Sequence, residues 1–140
     1  MMVSVRTTSI SAERLWDVET PLPAPVQIQL NVTVHKLEPA GQGKAKGSFV
    51  VSATYNPAVA QITIRGVVLI QGSEKEVKEA VQRSSSGKPP EAVVQAVFSS
   101  AMADAVVASR SIGVPPPLPA PMISRQQRGQ QGSGSLEYAI

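Results

Sequence analysis

Between Val26 and Val34 the chain alternates apolar and polar residues without a break. Val26, Ile28, Leu30, Val32 and Val34 are separated by Gln27, Gln29, Asn31 and Thr33. A period of two in β-branched residues commits this segment to a strand with one face buried and the other in water. Residues 48–56 repeat the pattern with Phe49, Val51, Ala53 and Tyr55 on one face. Residues 59–71 repeat it with Ile62, Ile64, Val68 and Ile70, where Gly66 interrupts at a position suited to a bulge. The connections, Glu38 to Lys44 and Asn56-Pro57, are short and rich in turn formers, so the strands are expected to be antiparallel neighbours.

The period changes after Gly72. Ser73 and Glu76 stand at capping-box spacing, which predicts a short helix running to about residue 83. Residues 84–90 read as a loop. A longer helix is predicted over 91–112, with Pro89 and Pro90 before it and Gly113 ending it. Val94, Val97, Phe98, Ala101, Ala105 and Ala108 give it a broad apolar face, widened by Val93, Met102, Val106 and Val107. A helix this apolar is expected to be covered on more than one side. Val93, Val97, Met102 and Val106 are therefore candidate interface residues toward a second copy or another protein.

The ends read differently. Residues 1–25 are expected to be an N-terminal arm, with one helical turn at 11–16, Trp16 as its anchor, and Pro21, Pro23 and Pro25 as stops. Val114 to Pro121 is Pro-rich and extended, a rigid strap across the body or else a ligand for an aromatic groove on a partner. Residues 124–140 are rich in Gln, Gly and Ser and are expected to be disordered unless a partner holds them. The division is thus an arm over 1–25, a body over 26–123 and a polar basic tail over 124–140.

Composition limits the chemistry. The chain is 42% hydrophobic but only 4% aromatic, so its core must be built from Val, Ile, Leu and Ala. It has no cysteine, which excludes disulfides, thiolate metal sites and a cysteine nucleophile and fits a cytoplasmic protein. An unbroken apolar run of about 18 residues is missing, so no membrane span is expected. The formal charge is +3. His35 is the single histidine and reads as a plain strand residue; Asp104 is expected to face solvent or pair with a cation such as Arg110. Gly41, Gly43 and Gly47 alternate with Lys44 and Lys46 in a hairpin tip, flexible or phosphate-contacting, that lacks the Gly-Lys-Ser/Thr ending of a Walker loop. No catalytic, cofactor or metal constellation emerges, and a non-enzymatic binding protein is expected.

The element order and two local patterns resemble the SecB family of protein-export chaperones and its archaeal relatives. Ile64-Arg-Gly-Val-Val-Leu-Ile-Gln-Gly72 is similar to that family's third strand. Ser109-Arg-Ser-Ile-Gly-Val-Pro-Pro-Pro-Leu-Pro-Ala-Pro121 is similar to its helix end and Pro- and Leu-rich extension, and Lys88-Pro-Pro90 to its approach to the long helix. The resemblance, over about residues 26–123, implies an α+β fold: a SecB-like antiparallel sheet followed by a short and a long α-helix. It also implies a tetramer that holds unfolded polypeptide in aromatic-rich grooves. Members are typically acidic. This chain is basic, and its aromatic residues are Trp16, Phe49, Tyr55, Phe98 and Tyr138. The function expected here is therefore a structural or accessory component of a ribonucleoprotein, ribosome-associated, with ribosomal RNA and neighbouring proteins as partners. Arg6, Arg14, Lys44, Lys46, Arg125 and Arg128 are the candidate RNA or phosphate contacts. The alternative is a SecB-like holdase or nascent-chain adaptor, binding unfolded polypeptide as a homo-oligomer.

Overall fold

The computed structural model describes residues 1–23 and 25–117, and the backbone of 133–138. Its elements are β1 (Met2–Arg14), β2 (Val26–Val34), β3 (Glu38–Pro39), β4 (Lys44–Asn56), β5 (Ala60–Gln71), α1 (Glu74–Ser85), α2 (Glu91–Ser111) and β6 (Ser133–Tyr138). The fold is α+β: an antiparallel sheet of order β1-β5-β4-β2-β6, with β3 paired to β4 and two helices in succession after β5.

The alternating segments form the middle of this sheet. β2 pairs with β4 and β4 with β5, as short turns require. Their apolar residues face one way: Val26, Ile28, Phe49, Tyr55, Ile62, Ile64, Val68 and Ile70 are almost wholly buried. α2 lies over this side along a stripe of Val93, Val97, Ala101, Ala105 and Ala108, all buried. Small side chains in the second half of that stripe let the helix approach the sheet closely.

Gly66 shows how tight the layer is. A Cβ there would meet the ring of Phe49 at 2.6 Å and also strike the carbonyl oxygen of Arg6. The glycine is required by close approach of the ring, and the bulge expected at Gly66 lies across the ladder, between Thr7 and Ser9 of β1.

Two expectations about the ends are corrected. Residues 2–14 are not an arm with a helical turn; they form the 13-residue edge strand β1, paired with β5 along its length. The signal was hidden because the bulge at Thr8 resets the phase. Val3, Val5 and Thr7 face the helices before it, and Ile10 and Ala12 after it. Trp16 does anchor the following segment, packed against the core. The second correction concerns the tail. Ser133–Tyr138 pairs antiparallel with β2, so the chain's own sheet holds this stretch. Residues 124–132 lie outside the described residues.

The helix signals held. Ser73 and Glu76 form the reciprocal capping box, and Gly113 follows α2 with φ of +70°. Ser84, buried in α1, accepts a hydrogen bond from the Leu37 amide at 2.9 Å and ties that helix to the sheet. The strap is described as far as Pro117: Val114 is buried, and the Tyr55 hydroxyl donates to the Pro115 carbonyl at 2.5 Å. α2, with a mean hydropathy of 1.5 over its most apolar window, is long and apolar enough to cross a membrane by length and composition alone, a test that a core helix also passes, and here its buried stripe packs on the sheet.

Candidate functional site

Residues opposite one another in a β ladder share a face, so the register maps the open side of the sheet directly. Reading from β1 through β5 to β4, one row holds Met2, Gln71 and Lys44. The next holds Ser4, Leu69 and Lys46, and the third Arg6, Val67 and Ser48. The fourth holds Ser9, Arg65 and Val50, extended by Thr33 of β2. These are the residues that alternate with the buried set, and all are exposed or half-buried.

The open face therefore gathers Arg6, Lys44, Lys46 and Arg65 toward one end. All four are exposed. From strand geometry, about 3.4 Å per residue and 4.8 Å between strands, they fall within about 20 Å of one another. The described carboxylates on this face are Glu38 of β3, directly opposite Lys46, and Glu13, at the opposite end of β1. The four cations outnumber these two acids, so the described part of this face keeps a positive surplus. Half-buried Val50, Val67 and Leu69 lie between the cations, and Ser4, Ser9 and Ser48 share their rows. His35, exposed just past β2, bonds through its amide to the Ser48 carbonyl at 2.8 Å.

Three of the six candidate cations thus share one surface, and Arg65 joins them. Sequence reasoning missed Arg65, although it sits in the alternating segment 59–71 opposite in phase to Ile64; counting phase alone assigns it to the open face. The Lys44 tip is also anchored. The Gly72 amide donates to the Gly43 carbonyl at 3.0 Å, and a Cβ on Gly43 would lie 2.6 Å from the Gly72 oxygen. Lys44 therefore stands at the start of a long strand, on a docked turn.

Arg14 is corrected to a structural role. Its guanidinium donates to the carbonyls of Trp16 at 3.0 Å, Ile112 at 3.2 Å and Gly113 at 2.8 Å. It satisfies the free carbonyls at the end of α2 and places a positive charge at the negative pole of that helix. Arg125 and Arg128 lie outside the described residues.

The expected protein interface also divides. Val93 and Val97 are fully buried in the chain's own core, which is a correction, since neither reaches the surface. Met102 and Val106 are half-buried on α2. The exposed apolar surface lies elsewhere: Val107 is 66% exposed and Ile10 51%. Together with Ala12, Ala108 and Ile112 they line a shallow cleft of about 470 Å³ between α2 and β1. Asp104, half-buried at its margin, accepts a hydrogen bond from the Thr7 hydroxyl at 2.7 Å and makes no ion pair among the described residues, where solvent or a cation such as Arg110 was expected.

The described ionisable groups do not converge for chemistry. No three His, Asp or Glu side chains cluster among the described residues. The one resolved pKa perturbation is structural: the backbone amide of Ser73, with the N-terminal ammonium second, holds Glu76 below the ordinary 4.5. Comparison with known proteins gives no match to a family model, a curated protein or a solved structure. The open basic face is accordingly read from its own residues.

Proposed function

We propose that this protein is a non-enzymatic structural or accessory component of a ribonucleoprotein, ribosome-associated, built on a SecB-like body. One observation carries the reading: Arg6, Lys44, Lys46 and Arg65 stand together on a sheet face that no described element covers. Clustered cations that outnumber the acids beside them, here Glu38 opposite Lys46, are the electrostatic footprint of a phosphate backbone. Hydroxyl and amide side chains around them supply donors and acceptors that suit sugar and phosphate oxygens. Neighbouring proteins meet the surface at Met102, Val106 and the Ile10–Val107 cleft.

The test is sedimentation of the tagged full-length protein from native lysate at low salt. It is expected to travel with ribosomal particles and to leave them when Arg6, Lys46 and Arg65 are changed together to Gln. Migration at the top of the gradient under both conditions overturns the proposal.

A second reading, a holdase for unfolded polypeptide, is favoured by the exposure of Val107 and Ile10 beside one another. It predicts that the purified protein suppresses aggregation of an unfolded client and that Val107→Lys abolishes this. The absence of protection at several-fold molar excess removes it.

A further inference from the structure

We infer that the RNA taken by this face is double-stranded, recognised through its backbone. The inference rests on the ribonucleoprotein reading and narrows its ligand.

Among the described residues, the Phe, Tyr and Trp rings are on the wrong side for single strands. Phe49 and Tyr55 are buried on the side facing the helices, and Trp16 and Phe98 pack against the same core. The described residues of the open face include no Phe, Tyr or Trp, and its one imidazole, His35, stands just past the end of β2. Proteins that hold single strands without sequence preference stack the bases on such rings. Here the side chains between the cations are Val50, Val67 and Leu69, which offer no stacking platform.

The polar groups fit a duplex surface instead. Over a span of about 20 Å a duplex presents on the order of ten phosphates, at one charge per 1.7 Å of axis. Arg6, Lys44, Lys46 and Arg65 engage these as point charges from three adjacent strands, without reading a base. Ser4, Ser9 and Ser48 lie in the same rows as the cations. Hydroxyls in that position pair with the 2′-hydroxyls displayed across the wide, shallow minor groove of A-form RNA. A sheet face is shallow too and does not need the deep groove that excludes side chains.

The experiment is fluorescence anisotropy of the full-length protein with a labelled 20-base-pair RNA of arbitrary sequence and its single strand. The duplex is expected to bind about tenfold tighter than the single strand, because the strand finds no stacking surface. Its affinity should fall with salt at a log–log slope of about −3 to −4, and Arg65→Gln should remove about one unit of that slope. Equal or tighter binding of the single strand overturns the duplex inference and leaves the RNA reading standing. Binding of neither RNA at low salt overturns the RNA reading itself. An unchanged salt slope in Arg65→Gln, with the variant folded by circular dichroism, overturns the assignment to this face.

Discussion

The two sides of the sheet are made by the same strands and do opposite work. On the helix side, β4 contributes Phe49, Val51, Ala53 and Tyr55, all at most 3% exposed; on the open side the same strand contributes Lys46, Ser48 and Thr54. Stability is concentrated where every second residue is apolar, and the residues between are released from packing. Exceptions on both sides sharpen the contrast. Arg14 is a cation on the helix side, used to hold α2, and Val50, Val67 and Leu69 are apolar residues on the open side, half-buried among polar neighbours.

The contrast can be broken first at Phe49. Truncation to Ala should lower the unfolding free energy by about 3–5 kcal/mol, since it empties the space over Gly66. In the same denaturant titration, Ser48→Thr, one residue along and on the other face, should stay within about 0.5 kcal/mol of the parent. Equal losses at the two positions would mean that the open face is covered.

Arg14→Met comes next. Charged hydrogen bonds to the helix end are lost, for a cost of about 1–3 kcal/mol. Thermal unfolding should show the loss while duplex RNA affinity at fixed salt is unchanged. A variant of parental stability with weakened binding would return Arg14 to the recognition surface.

The smallest effect concerns pH. The folded-state pKa of Glu76 is depressed, so its contribution is present above the ordinary carboxylate value and fades as the pH falls through the folded one. The melting temperature should therefore drop modestly in that acid range, and Glu76→Gln should flatten this part of the profile. A profile identical in the variant would show that the cap adds nothing that titrates.

Much of this architecture was legible because local periodicity and packing agreed. The strict alternation from Val26 to Val34, the Ser73–Glu76 box and Gly113 each specify an element through chemistry within a few residues. β1 was missed because a bulge at Thr8 splits one strand into two short runs of opposite phase. Ser133–Tyr138 was missed because its Ser- and Gly-rich composition carries little strand preference, and its pairing comes from the exposed edge of β2.

The candidate site was legible residue by residue but not as a site. Lys44, Lys46 and Arg6 drew attention as cations, yet the first two are some forty residues from the third. Only the β1–β5–β4 register places them on one face with Arg65, and only the tertiary fold diverts Arg14 to the end of α2. Alternation is a property of neighbouring residues, so the sequence by itself decided which side chains each strand offers to water. Ladder pairing and helix docking join residues far apart in the chain, so the tertiary structure alone decided which cations became a surface and which became a cap.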